Sequence, residues 1–144
     1  MKIAIRVFVA LGALVGAAIV VLLWVMFADH GGFKGGLADY DDLPESAGDI
    51  MVYRNRNISG AQFMEFRIPE EDFRAYVEGQ GWKLAELSEP THVLSTRLYQ
   101  EQGRPAYTAV SRGLVHEARR ANGGGITVVF DRDRGVAYVN RSSR

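Results

Sequence analysis

The sequence predicts an α+β protein in three parts: a single N-terminal transmembrane helix, an acidic flexible tether, and a small antiparallel β-sheet domain with one main packed helix. Three observations lead there. Residues 7–28 form a run of 22 without a charge, and residues 29–48 are acidic and glycine-containing. Beyond them, two groups of strand-like segments flank one amphipathic helical segment, the pattern of a helix packed on an antiparallel sheet.

The apolar run sets the first element. Twenty-two residues in a helix span about 33 Å, enough for a ~30 Å hydrocarbon core. Thirteen of them are Leu, Ile, Val or Phe, each favouring insertion by roughly 0.3–0.6 kcal/mol near the helix centre. A cleaved secretory signal is the alternative, but it has an apolar run of about 7–15 residues and a small-x-small cleavage site. The one candidate site, Met26-Phe27-Ala28, has Met at a small position. Lys2 and Arg6 precede the run and Asp29 follows it. The positive-inside rule therefore predicts a signal-anchored, single-pass protein of the cell inner or plasma membrane. Residues 1–6 are then a cytoplasmic tail, and the C-terminal domain is extracytoplasmic. Gly12 and Gly16, with Ala13 and Ala17 beside them, form a GxxxG pattern that lets two helices approach closely. The partners expected for this segment are the lipid bilayer and a homodimer mate or membrane-protein neighbour.

The chain as a whole balances 17 basic against 17 acidic residues, but Asp29 to Asp49 carries six acids against Lys34, a net of −5. With GGFKGG and Pro44 this reads as a self-repelling tether. Residues 49–144 suffice for one small domain with one core. The absence of Cys removes disulfide frameworks and thiolate chemistry together, a composition more natural in a bacterial-type envelope than on an animal cell surface. The sequons at Asn57 and Asn140 occur at the frequency chance gives.

The domain opens with a hairpin. DIMVYRNRNISGAQFMEFRIP places a two-residue Ser59-Gly60 turn between alternating runs. Met51 then faces Ile68, Tyr53 faces Phe66, Asn55 faces Met64, and Arg54 pairs with Glu65 on a wet face. PEEDFRAYVEGQG follows as a helix: Pro69 at its first position, three acids in its first turn, Phe73, Tyr76 and Val77 inward, and Gly79 or Gly81 as its stop. A short strand is expected over Trp82–Leu87. Residues 90–113 fit either a strand through Leu94, Thr96 and Leu98 or a helix capped by Thr91. In the last third, ITVVF and GVAYVN are strands joined by DRDRG with Gly135 left-handed, and Ile126, Val128, Phe130, Val136 and Tyr138 line one face. GLVHEARR is a third antiparallel strand linked through ANGGG; a helix ending at Asn122-Gly123 is the alternative.

Chemistry is sparse. His30, His92 and His116 lack metal-ligand spacing, and His116 and Glu117 point to opposite faces of a strand. Ser111, His116 and Asp131 can be drawn as a triad, but no nucleophile elbow supports it. DRDRG resembles the start of a calcium loop without its third acid, its glycine or its final Glu, and so reads as a hairpin turn. NGGG is not followed by Lys-Ser, which removes a Walker loop. Glu70, Glu71 and Asp72 are acids that a helix N-terminus attracts for its dipole alone. No catalytic residue, metal or cofactor is assigned.

The residues from Ser111 onward hold seven Arg against three acids, a net of +4. In a three-stranded meander Arg119, Arg120, Arg141 and Arg144 gather at one end, beside a glycine loop with exposed backbone N–H groups. That end is the expected site for an anionic partner; no nucleic-acid partner is expected. The function that follows is a non-catalytic binding or accessory subunit of the envelope, with a small membrane-anchored envelope hydrolase as the alternative.

Overall fold

The computed structural model describes residues 2–27, 31–37, 40, 43–55, 60–121 and 123–143, with side chains except those of 2–11 and 27. In chain order the elements are α1 (Lys2–Phe27), β1 (Gly32–Leu37), β2 (Gly48–Asn55), β3 (Ala61–Arg67), α2 (Glu70–Gly79), β4 (Ala85–Glu86), β5 (Thr91–Leu94), α3 (Thr96–Gln102), β6 (Tyr107–Val110), β7 (Gly113–Arg119), β8 (Gly125–Asp131) and β9 (Val136–Ser142).

The first element corrects the sequence reading. Helix α1 runs from Lys2 to Phe27. Among the described residues no helix is long and apolar enough to cross a membrane. This overturns the transmembrane helix over 7–28, the signal anchor, and the single-pass inner- or plasma-membrane location with a cytoplasmic N-terminus.

The flexible tether is corrected too. Within 29–48, β1 pairs antiparallel with β2 through Phe33↔Tyr53 and Lys34↔Val52. Leu37, Tyr40 and Leu43 pack against the core, and Ala47 is buried in it. Glycine and acids set only the local tendency of this segment; pairing and apolar anchors decide its structure.

Seven antiparallel strands form one sheet in the order β1-β2-β3-β9-β8-β7-β4, and β5-β6 is a separate hairpin. The sheet is covered on both faces. On one, Phe73, Tyr76 and Val77 of α2 meet Ile50, Val52, Met64, Phe66, Val128 and Phe130. On the other, Val93 and Val110 of the hairpin meet Val129, Val136 and Tyr138, and α3 lies over β2 and β3.

This double cover explains the register errors. The β2–β3 pairing is Met51↔Glu65, Tyr53↔Phe63 and Arg54↔Gln62, not Met51–Ile68, Tyr53–Phe66 and Arg54–Glu65. The last described pair is Asn55↔Ala61, Ser59 of the expected Ser59-Gly60 turn lies outside the described residues, and Glu65 is buried rather than wet. At the last hairpin Phe130 opposes Ala137, while Val136 and Tyr138 share the opposite face with Val129. The expected common face of Ile126, Val128, Phe130, Val136 and Tyr138 is therefore split in two. DRDRG turns as expected: the Gly135 N–H donates to the Asp131 carbonyl at 2.8 Å, with Gly135 at φ 63°.

Segment 90–113 matches neither reading: Thr91 lies in a strand rather than capping a helix, and Thr96 and Leu98 are helical. Four strand residues end at Leu94, and the Ser95 hydroxyl caps α3 by accepting the Leu98 N–H. Gly103, at φ 65°, ends α3. GLVHEARR forms the strand β7. The expected strand over Trp82–Leu87 shrinks to the two residues of β4, and Pro69 is the N-cap of α2 rather than its first helical residue.

Candidate functional site

Helix α2 is too short to cover its face of the sheet. Gly81, at φ 73°, reverses the chain, and the Trp82 N–H closes the helix end on the Val77 carbonyl at 3.1 Å. Beneath the helix, Phe66, Ala137, Phe130 and Leu114 stand side by side across four strands, followed by Val52, Met64, Val139, Val128 and His116 across five. The next step along the strands is uncovered, and its residues change character: Arg54, Gln62, Arg141, Ile126 and Ala118. That uncovered row floors a groove of about 660 Å³, walled by Trp82 and His116 and reached by Arg120.

Each side chain has an identifiable support. Arg54 donates to the Tyr40 hydroxyl at 2.9 Å, and the Gln62 amide nitrogen donates to the same oxygen at 3.2 Å. Trp82 stacks on the His116 ring with centroids 5.9 Å apart and planes at 10°, and Tyr76 meets it edge-on at 6.0 Å. The Arg141 guanidinium carbon lies 5.3 Å from the centroid of the indole, a cation–π contact. His116 Nδ1 lies 3.0 Å from the Lys83 carbonyl; a carbonyl only accepts, so this nitrogen carries hydrogen. Its buried Nε2 has no hydrogen-bond partner among the described residues.

The groove is electrostatically one-sided. Arg54, Arg120 and Arg141 line it, and among the described residues no Asp or Glu does. Several arginines elsewhere are paired: Arg132 with Glu70 at 2.8 Å and Glu86 at 2.6 Å, Arg97 with Asp49 at 2.9 Å, and Arg112 with Asp133 at 2.9 Å. Among the described residues no ion pair engages the three groove arginines.

Of the four arginines expected at this end, Arg120 and Arg141 share the groove. Arg119 lies on the opposite face, 2.7 Å from Glu117 two residues earlier on the same strand, and is neutralised there. Arg144 lies outside the described residues. The glycine loop does adjoin the site: Gly123, Gly124 and Gly125 line a smaller recess of about 310 Å³ that shares Arg120 and Arg141 with the groove and also takes in Arg119 and its partner Glu117. Sequence reasoning missed Arg54, because the wrong register gave it to Glu65. Trp82 was also missed, a lone aromatic after a helix-stopping glycine being its only local signal, and His116 was weighed only as a metal ligand or triad member. Gly12, Ala13, Gly16 and Ala17 are exposed on α1, and a side chain added at either glycine meets open space. His30 and the Asn57 sequon fall outside the described residues.

The drawn triad does not assemble: His116 is held by Lys83, and the buried Asp131 carboxylate accepts the N–H groups of Asp133 and Arg134 at 2.9 and 3.2 Å. A second groove, of about 680 Å³, lies on the other sheet face and contains Glu65, Ser95 and Tyr138. There the Ser95 hydroxyl donates to Glu65 at 2.6 Å while accepting the Leu98 N–H, and Glu65 also accepts the Arg97 N–H at 3.2 Å. These bonds fasten α3 to β3. Burial pushes the Tyr138 hydroxyl pKa up. Among the described residues no three His, Cys, Asp or Glu are grouped to hold a metal ion.

Comparison with known protein families, characterised proteins and solved structures finds no match to this chain. The functional reading therefore rests on the site.

Proposed function

We propose that this chain is a non-catalytic binding protein that holds an anionic partner in the groove beyond α2. One observation carries the reading: Arg54, Arg120 and Arg141 converge on a groove with no carboxylate in its lining, and none of them is in an ion pair among the described residues. Three cations held near one another repel. Aligning them on a folded surface is unfavourable until an anion arrives, which each guanidinium then meets with charge-assisted hydrogen bonds. The volume falls in the ~300–1,000 Å³ range of ligand sites.

A binding role is favoured over hydrolysis because the site offers cation, amide and aromatic groups but no nucleophile–base pair. The test is retention of the full chain on a dextran sulfate matrix at about 10 mM salt, where charges act over ~30 Å. Wild type is retained and elutes as salt rises. Arg54→Gln/Arg120→Gln/Arg141→Gln, folded by circular dichroism, is not. Equal retention of the two proteins refutes the reading.

A further inference from the structure

We propose that the ligand is an acidic oligosaccharide, a chain of carboxylated, hydroxyl-bearing sugars lying across the strands. This rests on the anion-binding reading and specifies its ligand.

The first argument is spacing. Arg54 is on β2 and Arg141 on β9, with β3 between them; β8 separates Arg141 from Arg120, which follows the last residue of β7. Strands lie about 4.8 Å apart, so successive arginines stand roughly 10–12 Å apart and the three span roughly 20 Å. A lone phosphate or a single sugar acid does not span all three. An extended chain with charges at intervals reaches all three.

The second argument is the chemistry between the arginines. Gln62 sits between Arg54 and Arg141 in the same row, and with its amide nitrogen on Tyr40 its carbonyl oxygen is left as an acceptor. Gln80 and Ser142 also line the groove. The Gln62 oxygen has no use against polyphosphate, which offers only acceptors of its own at neutral pH; it suits hydroxyl groups, which both donate and accept. The half-buried Trp82 ring adds an apolar wall for the C–H face of a sugar.

The third argument concerns backbone. An acidic peptide recognised in extended form draws affinity from adding to a sheet edge. The groove floor is a sheet face, where the backbones of β3, β9 and β8 are committed to their ladders. Recognition here goes through side chains, as hydroxyls and carboxylates permit.

The test is calorimetric titration of the full chain at low salt with galacturonic acid, its trimer and its hexamer, beside hexaglutamate and tripolyphosphate. The hexamer is expected to bind at least about tenfold more tightly than the monomer, because each further contact is made intramolecularly. It should also exceed both other anions. Arg54→Gln and Arg141→Gln, with thermal unfolding checked, should each weaken the hexamer about three- to tenfold and move the monomer less. Equal affinity for monomer and hexamer overturns the assignment, as does hexaglutamate or tripolyphosphate binding as tightly as the hexamer; in both cases anion binding itself stands. If none of the five binds, both readings fall.

Discussion

Arg132 joins three parts of the fold, and acid should reveal it. Its guanidinium grips Glu70 at the start of α2 through two bonds of 2.8 Å, and Glu86 of β4 through bonds of 2.6 and 2.8 Å. Hydrogen bonds from Arg132, opposed by partial burial and reinforced by Arg74, hold the Glu70 carboxyl at a pKa of about 2, down from 4.5. Arg132 likewise lowers the Glu86 pKa. A depressed carboxylate adds stability that is fully present above its unfolded value and is lost as pH falls through its folded one, so the window is pH 4.5 down to about 2. At 1.36 kcal/mol per pH unit the fall corresponds to roughly 3 kcal/mol. The Glu70 side chain is 31 % exposed, and screening by water and salt cuts this to about 1 kcal/mol, or about 4–8 °C in Tm for a domain of this size. The perturbation is Arg132→Gln, assayed by urea unfolding from pH 7 to 2. The variant should be less stable by about 1 kcal/mol at pH 7, converge on wild type near pH 2, and titrate with a shallower slope between. A deficit that stays constant down to pH 2 would mean that Arg132 acts by packing, and the electrostatic account would be wrong.

Three further outcomes follow from the packing. Phe73→Ala empties a fully buried site stacked 4.9 Å from Phe130 and should cost about 3–5 kcal/mol in urea unfolding. Gly113→Ala drives a Cβ into the backbone carbonyl of Phe130, so the β7–β8 pairing must shift and the folded yield should collapse, seen as loss of the cooperative transition by circular dichroism. Ser95→Ala removes both the cap of α3 and its bond to Glu65; a loss of about 1–2 kcal/mol is expected, with faster hydrogen exchange over Thr96–Gln102.

How much was legible depends on how many faces of an element are covered. The helix α2 was read in place because one stripe, Phe73, Tyr76 and Val77, is apolar and the rest is polar. The meander of β7, β8 and β9 was legible because its turns carry glycine at Gly123–Gly125 and Gly135. Register was not. Ile50 and Val52 face α2 while Met51 and Tyr53 face α3 and the hairpin, and all four are buried. A strand apolar on both faces gives alternation nothing to fix. The same ambiguity hid half of the site: Arg120 and Arg141 followed from the turns alone, whereas Arg54 needed the register. The Arg119–Glu117 pairing was readable from a two-residue spacing, which puts both side chains on one face of a strand. Trp82 and His116 come from elements far apart in sequence, and only the helix end at Gly81 brings them together.

If anions are held in the groove beside Trp82, that indole reports their arrival. The chain has two tryptophans, Trp24 and Trp82, so Trp24→Phe leaves Trp82 as the reporter inside the site. Titrating this protein with dextran sulfate at about 10 mM salt should change its fluorescence saturably. The change should reverse with added salt and disappear in the Arg141→Gln variant, whose guanidinium lies over the indole. A flat titration, or one that Arg141→Gln leaves unchanged, would contradict the account.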